Sequence, residues 1–149
     1  MKLSTRGRYG TRALMELARH YGEGPMSLKD IAKNQDISLQ YLERLMGPLA
    51  AAGLIHSMRG VRGGVWLARP PRETKLSRII EAMEGPIVPV DCIQDPEVCN
   101  RSELCATRDV WTEVQHAIYK VLDNITLADL LKRQESKESV EHTGADQPT

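Results

Sequence analysis

SLQYLERLMGPLAAAGLIHSMRGVRGGVWLAR, residues 38–69, changes its periodicity halfway along. In its first half Leu39, Leu42, Met46 and Leu49 recur at three- and four-residue steps, the spacing of one buried helix stripe. Ser38 stands where an N-cap is wanted and Gly53 where the helix should close. Pro48 lies inside this stretch, but the apolar spacing continues past it, which predicts a kink rather than an end. From Leu54 the pattern becomes strand-like. Residues 54–58 and 65–68 flank a loop holding Gly60, Gly63 and Gly64, which predicts a hairpin with a glycine-rich tip.

Upstream, Tyr9, Ala13, Leu14, Leu17, Ala18 and Tyr21 share one face of a helix predicted over about residues 5–21, stopped by Gly22, Gly24 and Pro25. Ser27 with Asp30 three residues later predicts a capped short helix over about 27–34. Three short helices and a hairpin are the layout of a winged helix-turn-helix. The predicted fold class is therefore mainly α, with a winged helix-turn-helix DNA-binding domain over residues 1–72.

Pro70 and Pro71 mark a linker, and Leu76, Ile79, Ile80 and Met83 predict a short helix over 75–84 with Gly85 as its stop. Pro96 and scattered charge argue against helix in the following loop. From about Thr107 a long helix is predicted, with Trp111, Val114, Ile118, Val121 and Ile125 stepping 3, 4, 3, 4. That seam is the natural pairing surface for a homodimer, since one half-site gives a small DNA reader too little affinity. Packing of the stripe on its own domain is the competing reading. A small helix restarts at Thr126 and Asp129. Residues 73–133 thus carry the loop and dimerisation helix, and the polar residues 134–149 are predicted to be a disordered tail.

The chain of 149 residues has no net charge, but the zero hides a split. Residues 1–72 hold twelve Lys/Arg against five Asp/Glu, a net of +7, and residues 73–149 hold eight against fifteen, a net of −7. A basic head suits a polyanion, although chance segregation gives the same figures. No run of about 18 apolar residues would span a membrane, and the N-terminus has no apolar block of a signal peptide, so a cytoplasmic protein with no membrane partner is expected.

On the recognition helix the outward positions are Gln40, Tyr41, Glu43 and Arg44, close to the Ser38 cap. Gln pairs with adenine, Glu accepts from cytosine, and Arg pairs with guanine or phosphate; Tyr41 could reach the backbone. Arg59 and Arg62 on a slim wing suit a narrow, electronegative minor groove. Lys2, Arg6 and Arg8 would add phosphate contacts. Each residue alone is equally a solvated surface group; helix order, charge and wing together favour double-stranded DNA at a palindromic operator.

Cys92, Cys99 and Cys105 are the only cysteines, all within DCIQDPEVCNRSELC, residues 91–105. The spacing matches neither a zinc ribbon nor a C-x-x-C redox pair. Soft thiolates suit an iron–sulfur cluster or zinc; free or mutually oxidisable thiols are the plainer reading. Asp91, Asp95, Glu97 and Glu103 make the loop acidic, which should raise thiol pKa values and argues against a thiol oxidoreductase. No enzymatic constellation is present.

MKLSTRGRYG, ISLQYLERL, RGVRGG, the cysteine loop and DNITLADLL together resemble the Rrf-type family of bacterial winged-helix regulators over about residues 1–133. MEGPIVPV and HYGEGPMSLK resemble its cysteine-metabolism branch, and the three cysteines its cluster-binding branch. The resemblance implies DNA reading by Gln40, Tyr41, Glu43, Arg44 and Arg59, dimerisation through residues 107–125, and an iron–sulfur cluster on Cys92, Cys99 and Cys105. It also implies a fourth ligand from positions 8, 12 or 108. Here all three are arginine, and a guanidinium cannot ligate iron. A 4Fe–4S cluster with an open corner remains, or a 2Fe–2S cluster completed by Asp91, Asp95, Glu97, Glu103 or Asp109, or a labile site. His116 lies off the seam. The expected function is transcriptional regulation, most simply repression, set by cluster, iron or redox state. The alternative is a cysteine-metabolism repressor sensing through a protein partner of the cysteine-synthesis pathway, with redox-active or zinc-bound thiols.

Overall fold

Residues 2–144 are described by a computed structural model. In chain order they form α1 (Thr5–Arg19), α2 (Leu28–Gln35), α3 (Leu39–Ala51), β1 (Ile55–Met58), β2 (Gly64–Leu67), α4 (Leu76–Glu84), α5 (Asp91–Gln94), α6 (Ala106–Asp123) and α7 (Leu127–Gly144). The fold is a winged helix-turn-helix, mainly helical.

Local chemistry places the reading elements. The Ser27 hydroxyl accepts from the Asp30 N–H at 3.2 Å and starts α2. Asp36, at φ 51°, turns the chain left-handed and directs Ile37 into the core before Ser38 starts α3. The helix then runs through Pro48 to Ala51, burying Leu42, Leu45, Met46 and Leu49. Leu45 adds to the predicted stripe, while Leu39 is only half-buried.

β1 and β2 pair antiparallel, with His56 opposite Trp66 and Met58 opposite Gly64. Met26 forms a single antiparallel bridge to the other edge of β2: its N–H donates to Val65 O and its carbonyl accepts from Val65 N–H, both at 2.9 Å. Gly64 allows this close approach. At φ +156° an added Cβ would lie 2.3 Å from Met26 O.

The core crosses the boundary at residue 72. Leu14, Ile31, Leu42 and Leu49 share one buried cluster with Ile79 and Met83 of α4 and Leu127 of α7. Two backbone bonds set the start of α4 beside the start of α7: Leu76 N–H to Ile125 O at 2.8 Å and Leu127 N–H to Thr74 O at 3.0 Å. Thr126 and Asp129 cap α7 reciprocally, Thr126 N–H donating to Asp129 Oδ2 at 2.9 Å and Asp129 N–H to Thr126 Oγ1 at 3.2 Å.

Three expectations need correction. The cysteine loop is not free of helix: α5 and two 3-10 turns, Pro96–Val98 and Ser102–Leu104, wind through it. Pro96 opens its turn at a position where its missing N–H has no partner to lose. Tyr21 lies beyond the end of α1 and is exposed. The small helix after Thr126 continues to Gly144, so residues 134–144 are helical rather than a disordered tail; residues 145–149 lie outside the described residues. The polar extension is held by Arg19 of α1, 3.3 Å from Glu138, which also accepts from Gln134 at 3.0 Å.

Candidate DNA-reading surface and cysteine loop

Gln40, Glu43 and Arg44 are exposed on α3, as their helical spacing requires. The Ser38 hydroxyl is committed to the cap, accepting from Tyr41 N–H at 3.2 Å. Tyr41 departs from the outward reading. It is half-buried, its ring meets Tyr9 edge-on at 5.9 Å, and its hydroxyl donates to Thr5 Oγ1 at 3.1 Å. Aromatic area is worth more against α1 than in water, so Tyr41 fixes α3 on α1.

Arg59 and Arg62 are exposed at the wing tip, on either side of Val61, which is 107% exposed. Gly60, at φ 110°, makes the turn between them. Lys2, Arg6 and Arg8 are exposed around the start of α1.

Three ties that sequence reading missed hold this surface. Glu16, only 5% exposed, accepts from Asn34 Nδ2 and Gln35 Nε2, both at 2.7 Å. Arg12 bonds the side chain and carbonyl oxygen of Gln35 and lies over the Tyr9 ring. Both join α1 to the end of α2, and nothing in the apolar period marks them. Glu84 Oε1 accepts from Ser4 N–H at 3.1 Å, Gly7 N–H at 3.0 Å and the Ser4 hydroxyl. That one had a signal: an acid closing a helix is unfavourable against its own C-terminal dipole, so Glu84 needed a partner elsewhere.

Cys92, Cys99 and Cys105 are free, partly buried thiols. The loop is tied to α6. Arg108 Nε donates to Cys92 O at 2.9 Å and Nη1 to Ser102 O at 3.5 Å. Ile87, just before the loop, is held at both backbone groups, its N–H donating to Tyr119 Oη at 3.2 Å and its carbonyl accepting from Gln115 at 2.9 Å. The Thr107 hydroxyl, 3.1 Å from Cys105 Sγ, and the Arg108 backbone hold the Cys105 thiol below its ordinary value. For this cysteine the local hydrogen bonds outweigh the acidic surroundings, against the sequence expectation; Asp109 opposes them weakly.

The donor chemistry fits an iron–sulfur cluster, with three soft thiols in one loop. Among the described residues, no three His, Cys, Asp or Glu side chains are gathered so that they could hold a single metal ion. Asp91, Asp95, Glu97, Glu103, Asp109 and His116 are all exposed. Arg12 and Arg108, at two of the three borrowed fourth-ligand positions, are occupied with backbone carbonyls. Arg108→Ala should therefore loosen the loop. Amide exchange across residues 92–105 is expected to speed by about tenfold, the loss of one charge-assisted bond, with α1–α3 unchanged. Unaltered exchange would mean that the loop is held by something else.

α6 buries no residue fully; it rests on α4 and α5. On its seam Trp111 is 42% and Val121 58% exposed, while Val114, Ile118 and Ile125 are half-buried. No helix among the described residues is long and apolar enough to cross a membrane.

A family model described as Rrf2, iron-dependent transcriptional regulator, matches residues 3–133. The chain is 45% identical over 130 residues to the HTH-type transcriptional regulator CymR of Bacillus subtilis, covering 87% of this chain and 89% of that one. The solved structure of that protein, the global cysteine regulator of B. subtilis, aligns with a TM-score of 0.75 at 42% identity over 89% of this chain and 98% of its own. The structure of T. potens IscR aligns with a TM-score of 0.73 at 41% identity over 100% of this chain and 93% of its own. Protein rrf2 of Nitratidesulfovibrio vulgaris is 43% identical over 132 residues, 89% of this chain and 88% of that one. With the match running from the first helix through the cysteine loop and into α7, the chain belongs to the Rrf2 family of DNA-binding transcriptional regulators, which are not enzymes.

Proposed function

We propose that this protein is a homodimeric, cytoplasmic transcriptional regulator, in the simplest case a repressor, whose DNA binding follows the state of an iron–sulfur cluster on Cys92, Cys99 and Cys105. The observation that carries the reading is the concentration of all three thiols of the chain in one partly exposed loop tied to α6. A bound cluster would supply a centre sensitive to oxygen, iron supply and redox state. The chain's own residues do the rest. Cys92, Cys99 and Cys105 hold three corners, and the arginines at 8, 12 and 108 leave the fourth to an exogenous group or a loop carboxylate. Gln40, Glu43 and Arg44 meet base edges, Arg59 and Arg62 enter the minor groove, and Lys2, Arg6 and Arg8 meet phosphates. Trp111, Val114, Ile118, Val121 and Ile125 pair two copies, which supports a palindromic operator.

A second reading is favoured by the 45% identity to CymR and that relative's description as a global cysteine regulator. There the same head represses sulfur-metabolism genes, a cysteine-synthesis protein is the partner, and the thiols are redox-active or hold zinc.

Anaerobic purification separates the two. The cluster reading expects brown protein with visible absorbance and measurable iron and sulfide, lost in Cys92→Ala, Cys99→Ala or Cys105→Ala. Colourless protein with no iron or sulfide after anaerobic reconstitution overturns it and leaves the second reading.

A further inference from the structure

We infer that Glu84 is a positioning residue for DNA reading: its carboxylate sets the start of α1, and through Thr5 and Tyr41 the start of α1 sets the recognition helix. This rests on the DNA-reading surface proposed above and not on the cluster.

One oxygen of Glu84 receives Ser4 N–H, the Ser4 hydroxyl and Gly7 N–H. Those backbone N–H groups belong to the cap and first turn of α1, which have no partner inside the helix and carry its positive end. The two helices meet closely enough to make the joint specific. A Cβ on Gly7 would lie 2.7 Å from Glu84 Oε1, and one on Gly10 would lie 2.5 Å from Met83 Sδ. At the same turn of α1, Thr5 Oγ1 accepts from the Tyr41 hydroxyl, and Tyr9 packs edge-on against the Tyr41 ring. Tyr41 lies in the first turn of α3, beside Gln40, Glu43 and Arg44. Lys2, Arg6 and Arg8 ride on the same end of α1.

Glu84 thus ends α4 at the point where Gly85, at φ 80°, turns the chain toward the cysteine loop. One carboxylate joins the segment leading to that loop, the phosphate-facing end of α1 and the base of the recognition helix. Physical contiguity alone does not establish coupling; the energies of paired substitutions do.

The probe is a fluorescein-labelled duplex selected by the wild-type protein from random-sequence DNA. Glu84→Ala is expected to weaken binding on the order of tenfold, the worth of a charge at a helix start with its hydrogen bonds. Glu84→Gln, which keeps an accepting oxygen but not the charge, should recover part of that loss. In the pair Glu84→Ala/Tyr41→Phe the two losses should fail to multiply. Amide exchange of residues 39–43 should quicken in Glu84→Ala while α2 and the hairpin keep their rates, a pattern that general destabilisation does not give. Unchanged affinity in Glu84→Ala, losses that multiply independently, or exchange raised evenly throughout would each overturn the inference. A wild-type protein that selects no duplex would instead sink the DNA-reading surface itself.

Discussion

Leu127→Ala is expected to destabilise the fold by about 2–5 kcal/mol, the range for truncating a fully buried leucine. Leu127 is 0% exposed and sits in the same cluster as Leu14, Ile31 and Leu42, although it lies at the start of the last helix. Against a total stability of about 5–15 kcal/mol, the loss should lower the melting temperature by roughly 5–15 °C for a chain of this size. Val61→Ala is the matched control. That side chain touches only solvent, and its removal should change stability by less than about 0.5 kcal/mol. Thermal melts followed by circular dichroism check both. Equal melting temperatures for the two variants would mean that α7 does not seal the core.

The second large effect falls on affinity. Arg59→Ala/Arg62→Ala should weaken operator binding by on the order of a hundredfold at low salt, and lower the slope of log K against log salt by about two. Both side chains are exposed at the wing tip, so the melting temperature should stay where it is. Binding titrations across a salt series decide it. A full-length slope with unchanged affinity would show that the wing stands clear of the duplex.

Local chemistry made the head legible in the sequence. Ser27 and Ser38 cap the helices where their hydroxyls predict, and the hairpin lies within a residue or two of its predicted limits. What stayed hidden depends on distant partners. Glu16 takes its donors from another helix, so nothing in the spacing of α1 marks it. Tyr41 reads as outward by period, but Tyr9 draws it back. The polar 134–144 segment reads as disorder because composition does not reveal that Arg19 reaches Glu138. In the cysteine loop, the charge that suggests raised thiol pKa values is overruled at Cys105 by a hydroxyl two residues away.

The paired backbone of residues 74–76 and 125–127 has a consequence for how such a molecule can be altered. The chain departs from the head and rejoins it at one spot, so the stretch between is an excursion with both feet together. Closing that long loop is already accomplished at the feet, and lengthening it adds little further entropy cost. Residues 86–124 can therefore be lengthened, shortened or exchanged for those of a relative without drawing Leu127 out of the core. A graft of another 86–124 segment should dock on the same head if it keeps the surface that meets α4.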